Sequence, residues 1–167
     1  MIVSKSDRQA VKGECDRQAV DNRQRAVRLA RLPLETFLRR VQDELGLQEA
    51  GVTICLVSDA EIAQMNEAFR KKKGPTDVLS FPSVARRRPI RLWRGSAKVK
   101  AGAYLGDIAI SPATARRYAK QHGRKLSSEL RVLILHGLLH LLGYDHETDR
   151  GEMDRIERKL RKQFGLA

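Results

Sequence analysis

Apolar positions along this chain follow two periods, one near 3.6 residues and one near 2, and segments of the two kinds alternate. Leu34, Phe37, Leu38, Val41 and Leu45 keep helical spacing after Pro33, and Gly46 stands where a C-terminal glycine would end that helix. Val52–Val57 is an unbroken β-rich apolar run that predicts a buried strand. Ser58 and Glu61 then have capping-box spacing and open a helix through Phe69. Residues 71–75 read as a turn, Val78–Phe81 as a short strand stopped by Pro82, and Leu105–Ile110 as a further strand. Ser111 followed by Pro112 is an N-cap and first-turn signature for a helix reaching about His122, with Gly123 ending it. A helix over 128–142 is apolar nearly all round in its second half, which marks it as the central buried helix. Asp149 with Glu152 opens a last helix, whose Met153, Ile156, Leu160 and Phe164 share one face. Residues 17–31 fit either an edge strand near 19–25 or a short helix. Residues 1–16 are polar and aperiodic, and predict a flexible N-terminal extension ahead of one domain over 17–167.

A length of 167 residues fits one domain, and 41% apolar residues suffice for a core. Lys and Arg total 33 against 20 acidic residues, a net charge of +13 that points to a polyanionic partner, nucleic acid or an anionic membrane surface. The longest apolar stretch, Val132–Leu142, is broken by two histidines and Gly137 and is far too short to span a bilayer. Residues 1–15 lack the apolar centre of a secretory signal, so export is not expected. Cys15 and Cys55 form neither metal spacing nor a disulfide framework, which fits a reducing cytoplasm with Cys55 as a buried, inert thiol.

Three of the four histidines lie in one short string, HGLLHLLGYDH over 136–146. Residues four apart share a helix face, so His136 and His140 can reach one cation. A left-handed Gly143 would stop the helix and turn the chain back, bringing His146 as a third ligand. The alternative is a pair of core histidines satisfied by backbone carbonyls. Two imidazoles on one face of an apolar helix each need a partner, however, and a shared divalent ion supplies both. Three neutral nitrogens suit Zn²⁺ with one position left open, and Ni²⁺ or another divalent ion suits them too. The spacing also matches the metzincin proteases, but those enzymes need a glutamate after the first histidine and this chain has Gly137. An acid or base must come from elsewhere. Asp107, Asp145 and Glu147 are nearest by motif, with turn capping or support of the ligands as the alternative, favoured for Asp145 and Glu147.

No acidic residue occurs between Asp77 and Asp107, and the stretch from Pro82 to Tyr104 carries Arg86, Arg87, Arg88, Arg91, Arg94, Lys98 and Lys100. A solvated loop is expected there. It reads either as a phosphate-tracking surface on which Trp93 stacks a base, or as a solvated insertion with Trp93 packed locally. Arg70 ends a helix, where a cation is stabilised by the macrodipole; beside a metal site its guanidinium would also grip a phosphate.

The strings Asn66-x-x-Phe69-Arg70, TDVLSFP over 76–82, LGDI over 105–108 and HGLLHLLGYDH over 136–146 resemble, in order and spacing, the YbeY family of bacterial metal-dependent endoribonucleases. The resemblance covers roughly residues 17–165. It implies an α+β domain with a small mixed β-sheet packed with about five helices, and a zinc-type ion on His136, His140 and His146 at the central helix and the loop after it. It further implies Arg70 in the active-site cleft and single-strand-specific RNA cleavage in the cytoplasm. The expected role is rRNA processing, at the 16S rRNA 3′ end and in ribosome quality control, with the ribosome or ribosomal proteins as partners. Two other classes stay open at this stage. One is a non-catalytic RNA-binding assembly factor with a structural metal, and the other a metal-dependent hydrolase of another substrate.

Overall fold

The computed structural model describes residues 19–84, 89–90, 92–93, 96–97 and 99–166, with the backbone alone at Trp93, Ser96 and Ala97. The expected extension over 1–16 lies outside them. Six strands and five helices follow in the order β1 (Val20–Asn22), α1 (Leu32–Glu44), β2 (Gly51–Leu56), α2 (Asp59–Arg70), β3 (Val78–Pro82), β4 (Leu92–Trp93), β5 (Ser96–Ala97), β6 (Tyr104–Ile110), α3 (Pro112–Gln121), α4 (Leu126–Leu141) and α5 (Glu152–Gln163). The ambiguous segment after residue 17 is thus a strand, though shorter than 19–25. It is held because Val20 is fully buried beside β2.

The main sheet has the order β1-β2-β6-β3. β1 and β6 run parallel to β2, and β3 runs antiparallel to β6, which makes the sheet mixed. Strand residues alternate between two faces. Ile54, Leu56, Ile108 and Ile110 join the core built with α1 and α4, whereas Cys55, Val57, Leu79 and Ala109 pack with Ile62 of α2 on the other face. Cys55 is buried, as the sequence predicts. Helix α4 is therefore enclosed, and ten of its sixteen residues are buried.

Local signals place the ends. Ser58 Oγ accepts from the Glu61 N–H and the Glu61 carboxylate accepts from the Ser58 N–H, so the capping box opens α2 as its spacing requires. Asp149 accepts from the N–H groups of Gly151, Glu152 and Met153 and thereby opens α5. Glycine matters most at two close approaches. At Gly106 φ is +140°, and a Cβ would stand 2.2 Å from the Phe81 carbonyl oxygen, so only glycine lets β3 pair with β6 here. At Gly137 a Cβ would meet Ile108 Cγ2 at 2.7 Å, so α4 lies on β6 at a distance that no larger residue permits.

Candidate metal centre

Helix α4 ends in a turn that creates the site. The Gly143 N–H donates to the His140 carbonyl and the Tyr144 N–H to the Leu139 carbonyl, with Gly143 at φ 93°. This paired closure satisfies two terminal carbonyls and sends the chain back across the helix end. His136, His140 and His146 meet as a result, with ring centroids 4.7 to 5.3 Å apart. One nitrogen from each lies within 4.8 Å of the others, and the His136 and His140 Nε2 atoms are 3.1 Å apart. Tetrahedral ligands at about 2.05 Å from a common ion stand roughly 3.3 Å from one another, a spacing that the His136 and His140 nitrogens already approach.

The surroundings set the chemistry of these rings. His136 Nδ1 lies 2.9 Å from Glu157 Oε2, a carboxylate placed to accept from that nitrogen, while Nε2 faces His140. Burial acts to raise the Glu157 carboxyl, but the bond from His136 and the guanidinium of Arg161 outweigh it and hold the group below its usual range. Burial, reinforced by the neighbouring His136 and His146, pushes His140 down to about 4. It is neutral at pH 7 and able to ligate. Glu157 escapes motif reading because it comes from α5. Its trace in the sequence is a carboxylate on the stripe of Met153, Ile156 and Leu160, where an apolar residue would be expected.

The tripod opens into a cleft of about 250 Å³, walled by β3 on one side and by residues 143–147 on the other, with Arg70 at its rim. Arg70 occupies the last position of α2 and its Nη2 donates to Glu147 Oε1 at 2.8 Å. Asp145 accepts the Glu147 N–H and so shapes the loop that carries His146. These placements agree with supporting roles for Asp145 and Glu147. Asp107 differs from its motif reading: Ile108 faces α4, so Asp107 points to the opposite face, where Tyr104 Oη donates to its Oδ1 at 2.6 Å. It cannot serve the histidines directly.

The basic segment is only partly a solvated loop. Ile90 and Leu92 pack on the core, and β4 pairs with β5 in a two-stranded ladder. Tyr144, in the turn between the ligands, donates to the Ile90 carbonyl at 3.0 Å and accepts from the Leu92 N–H at 3.3 Å. Arg86, Arg87, Arg88, Arg91 and Arg94 lie outside the described residues, as does the Trp93 side chain.

A mixed-sheet α+β domain with a helix-borne histidine tripod open to a cleft defines a protein with three nitrogens placed to bind a metal ion beside a groove. Comparison with known proteins sharpens that class: the family model described as "Endoribonuclease YbeY" matches residues 18–165, and the chain belongs to this family. Similar proteins include the endoribonuclease YbeY of Solibacter usitatus, 41% identical over 83% of this chain and 82% of that protein. Endoribonuclease YbeY of Aquifex aeolicus is 36% identical over 90% of this chain and 91% of that protein. Among solved structures, the solution structure of TM1509 from Thermotoga maritima is 27% identical over 81% of this chain and 79% of its own, with a TM-score of 0.48. The family assignment rests on the sequence matches.

Proposed function

We propose that this protein is a metal-dependent, single-strand-specific endoribonuclease that matures rRNA, acting at the 16S rRNA 3′ end and in ribosome quality control. The observation that carries the reading is the convergence of three imidazoles on a cleft that also holds an arginine. An RNA-cleaving activity agrees with the family, and the +13 charge suits a polyanion. The partners are single-stranded rRNA and the ribosome or its proteins, encountered in the cytoplasm. Among the described residues no helix is long and apolar enough to cross a membrane.

His136, His140 and His146 hold one Zn²⁺, or Ni²⁺ in its place. Bound there, the cation supplies Lewis acidity, polarising a phosphoryl oxygen or an attacking hydroxyl. Glu157 orients His136 and supports its donor nitrogen. Arg70 acts as the catalytic cation, its guanidinium donating to the scissile phosphate and balancing the charge that grows on it during displacement. Glu147 keeps that guanidinium at the rim until phosphate takes its place. Residues 17–167 form the catalytic domain. Arg86, Arg87, Arg88, Arg91, Trp93 and Arg94 contribute to RNA binding.

Cleavage of a labelled single-stranded rRNA fragment by the wild type and by His140→Ala, with metal content determined on the same samples, tests this reading. Metal-dependent cleavage lost together with the metal in the variant is expected. Cleavage that persists without metal would overturn the mechanism, and a fully metallated wild type that binds RNA without cutting it would leave a binding factor.

A further inference from the structure

The three histidines reach their meeting point by different means. His136 and His140 are carried by α4 and are partly buried, whereas His146 is exposed in the turn that follows. What fixes His146 is therefore whatever fixes that turn. Its local bonds run along the chain: the Gly143 N–H to the His140 carbonyl, the Tyr144 N–H to Leu139, and the Thr148 and Asp149 N–H groups to Asp145. Bonds of that range shape a turn without holding it against the rest of the molecule. The Arg70–Glu147 pair does cross the cleft mouth, but in contact with solvent, where an ion pair holds weakly.

Tyr144 makes the connection that these lack. It stands two residues before His146 and is only 3% exposed. Its hydroxyl donates to the Ile90 carbonyl at 3.0 Å and accepts from the Leu92 N–H at 3.3 Å. The Ile90 N–H in turn donates to the Leu142 carbonyl at 2.8 Å. Three hydrogen bonds thus join the turn to Ile90 and Leu92, which themselves pack on the core. Gly143, at φ 93°, lies immediately before Tyr144 and gives the backbone a freedom that such an anchor offsets. A phenylalanine would fill the same space and make neither hydroxyl bond.

We propose that Tyr144 is a positioning residue of the metal centre: its hydroxyl pins the 143–147 turn to Ile90 and Leu92, so that His146 is held ready for the cation, and occupancy of the tripod is coupled to the seating of Ile90 and Leu92. This rests on the reading that the three histidines hold a metal. A ligand already held in place does not have to be ordered on binding, so the anchor raises affinity. The coupling is reciprocal: the factor by which the seated segment strengthens metal binding is the factor by which bound metal resists its opening.

Zn²⁺ binding to the wild type and to Tyr144→Phe, measured by competition against a chelator of known affinity, tests the first half. The variant keeps the ring in the core and should bind Zn²⁺ about tenfold more weakly, the lower end of the loss when a group supporting a ligand is removed. A merely structural role would lower the Tm of the zinc-free protein and leave the Kd where it was. Hydrogen exchange of the wild type tests the second half without a variant. Zn²⁺ should slow the Ile90 and Leu92 amides by more than it slows the amide of Ile54, which bonds to the Ala19 carbonyl in the sheet and reports general stabilisation. In Tyr144→Phe the additional slowing at Ile90 should vanish.

An unchanged Zn²⁺ affinity in Tyr144→Phe, or slowing at Ile90 no greater than at Ile54, would overturn the proposal while leaving the metal reading intact. A wild type that takes up no Zn²⁺ would overturn both.

Discussion

His136 Nδ1 and Glu157 Oε2 are 2.9 Å apart, joining the central helix to the last one across the back of the histidine tripod. A carboxylate in that place sets the tautomer of the ring and makes the opposite nitrogen a better ligand. Glu157→Gln keeps the volume and removes the charge, and should weaken metal affinity by about 10- to 100-fold. Competition against a chelator of known affinity measures this. Unchanged affinity with a lowered Tm would reduce Glu157 to a packing role.

The metal-free protein should be acid-sensitive above the range in which carboxylates titrate. Burial pushes His140 down to about 4, while the unfolded chain takes up the same proton near 6.5. Between those values the unfolded state binds more protons, so stability falls as pH falls from about 6.5 toward 4. The full effect is up to about 3 kcal/mol. Urea unfolding of chelated protein at pH 7.5 and 4.5 gives the sign, and His140→Gln should flatten the dependence.

Gly137 is a packing requirement as well as a missing catalytic base. A methyl group there would lie 2.7 Å from Ile108 Cγ2, a fully buried side chain with nowhere to move. Gly137→Ala should destabilise by roughly 1–3 kcal/mol despite the better helix propensity of alanine. Gly137→Glu, which would restore the metzincin ligand string, should fail to fold rather than acquire peptidase activity. Denaturant midpoints and a peptide-hydrolysis assay check the two statements.

Arg70 stands at the last position of α2 and pairs with Glu147, so its loss should separate chemistry from structure. Arg70→Ala should retain metal and Tm while cleavage falls on the order of 10²-fold, the effect of removing one well-aimed donor to developing charge. Arg70→Lys should recover only part of it, because an ammonium cannot offer the planar fork. Normal turnover by Arg70→Ala would remove the residue from the catalytic role proposed for it.

Much of the architecture is written in local patterns. Five helices were marked by their own apolar stripes, caps and glycines, and the 136–146 string implied the tripod because spacing on one helix and one turn is a local matter. Asp107 shows where such reading stops. Its nearness to the site by motif says nothing about which sheet face it occupies, and the pairing of β6 with β2 and β3 turns it away from the histidines. The basic segment after Pro82 is similar, since its ties to Tyr144 link positions more than fifty residues apart.

The amino-acid order alone thus establishes the elements and the meeting of the three histidines, since helix, turn and i,i+4 spacing depend on near neighbours. Packing alone selects Glu157 as the partner of His136, places Arg70 across the cleft against Glu147, and turns Asp107 away. Each of these depends on segments far apart in the chain being pressed together, and contacts of that kind arise from burying a shared core rather than from any local period.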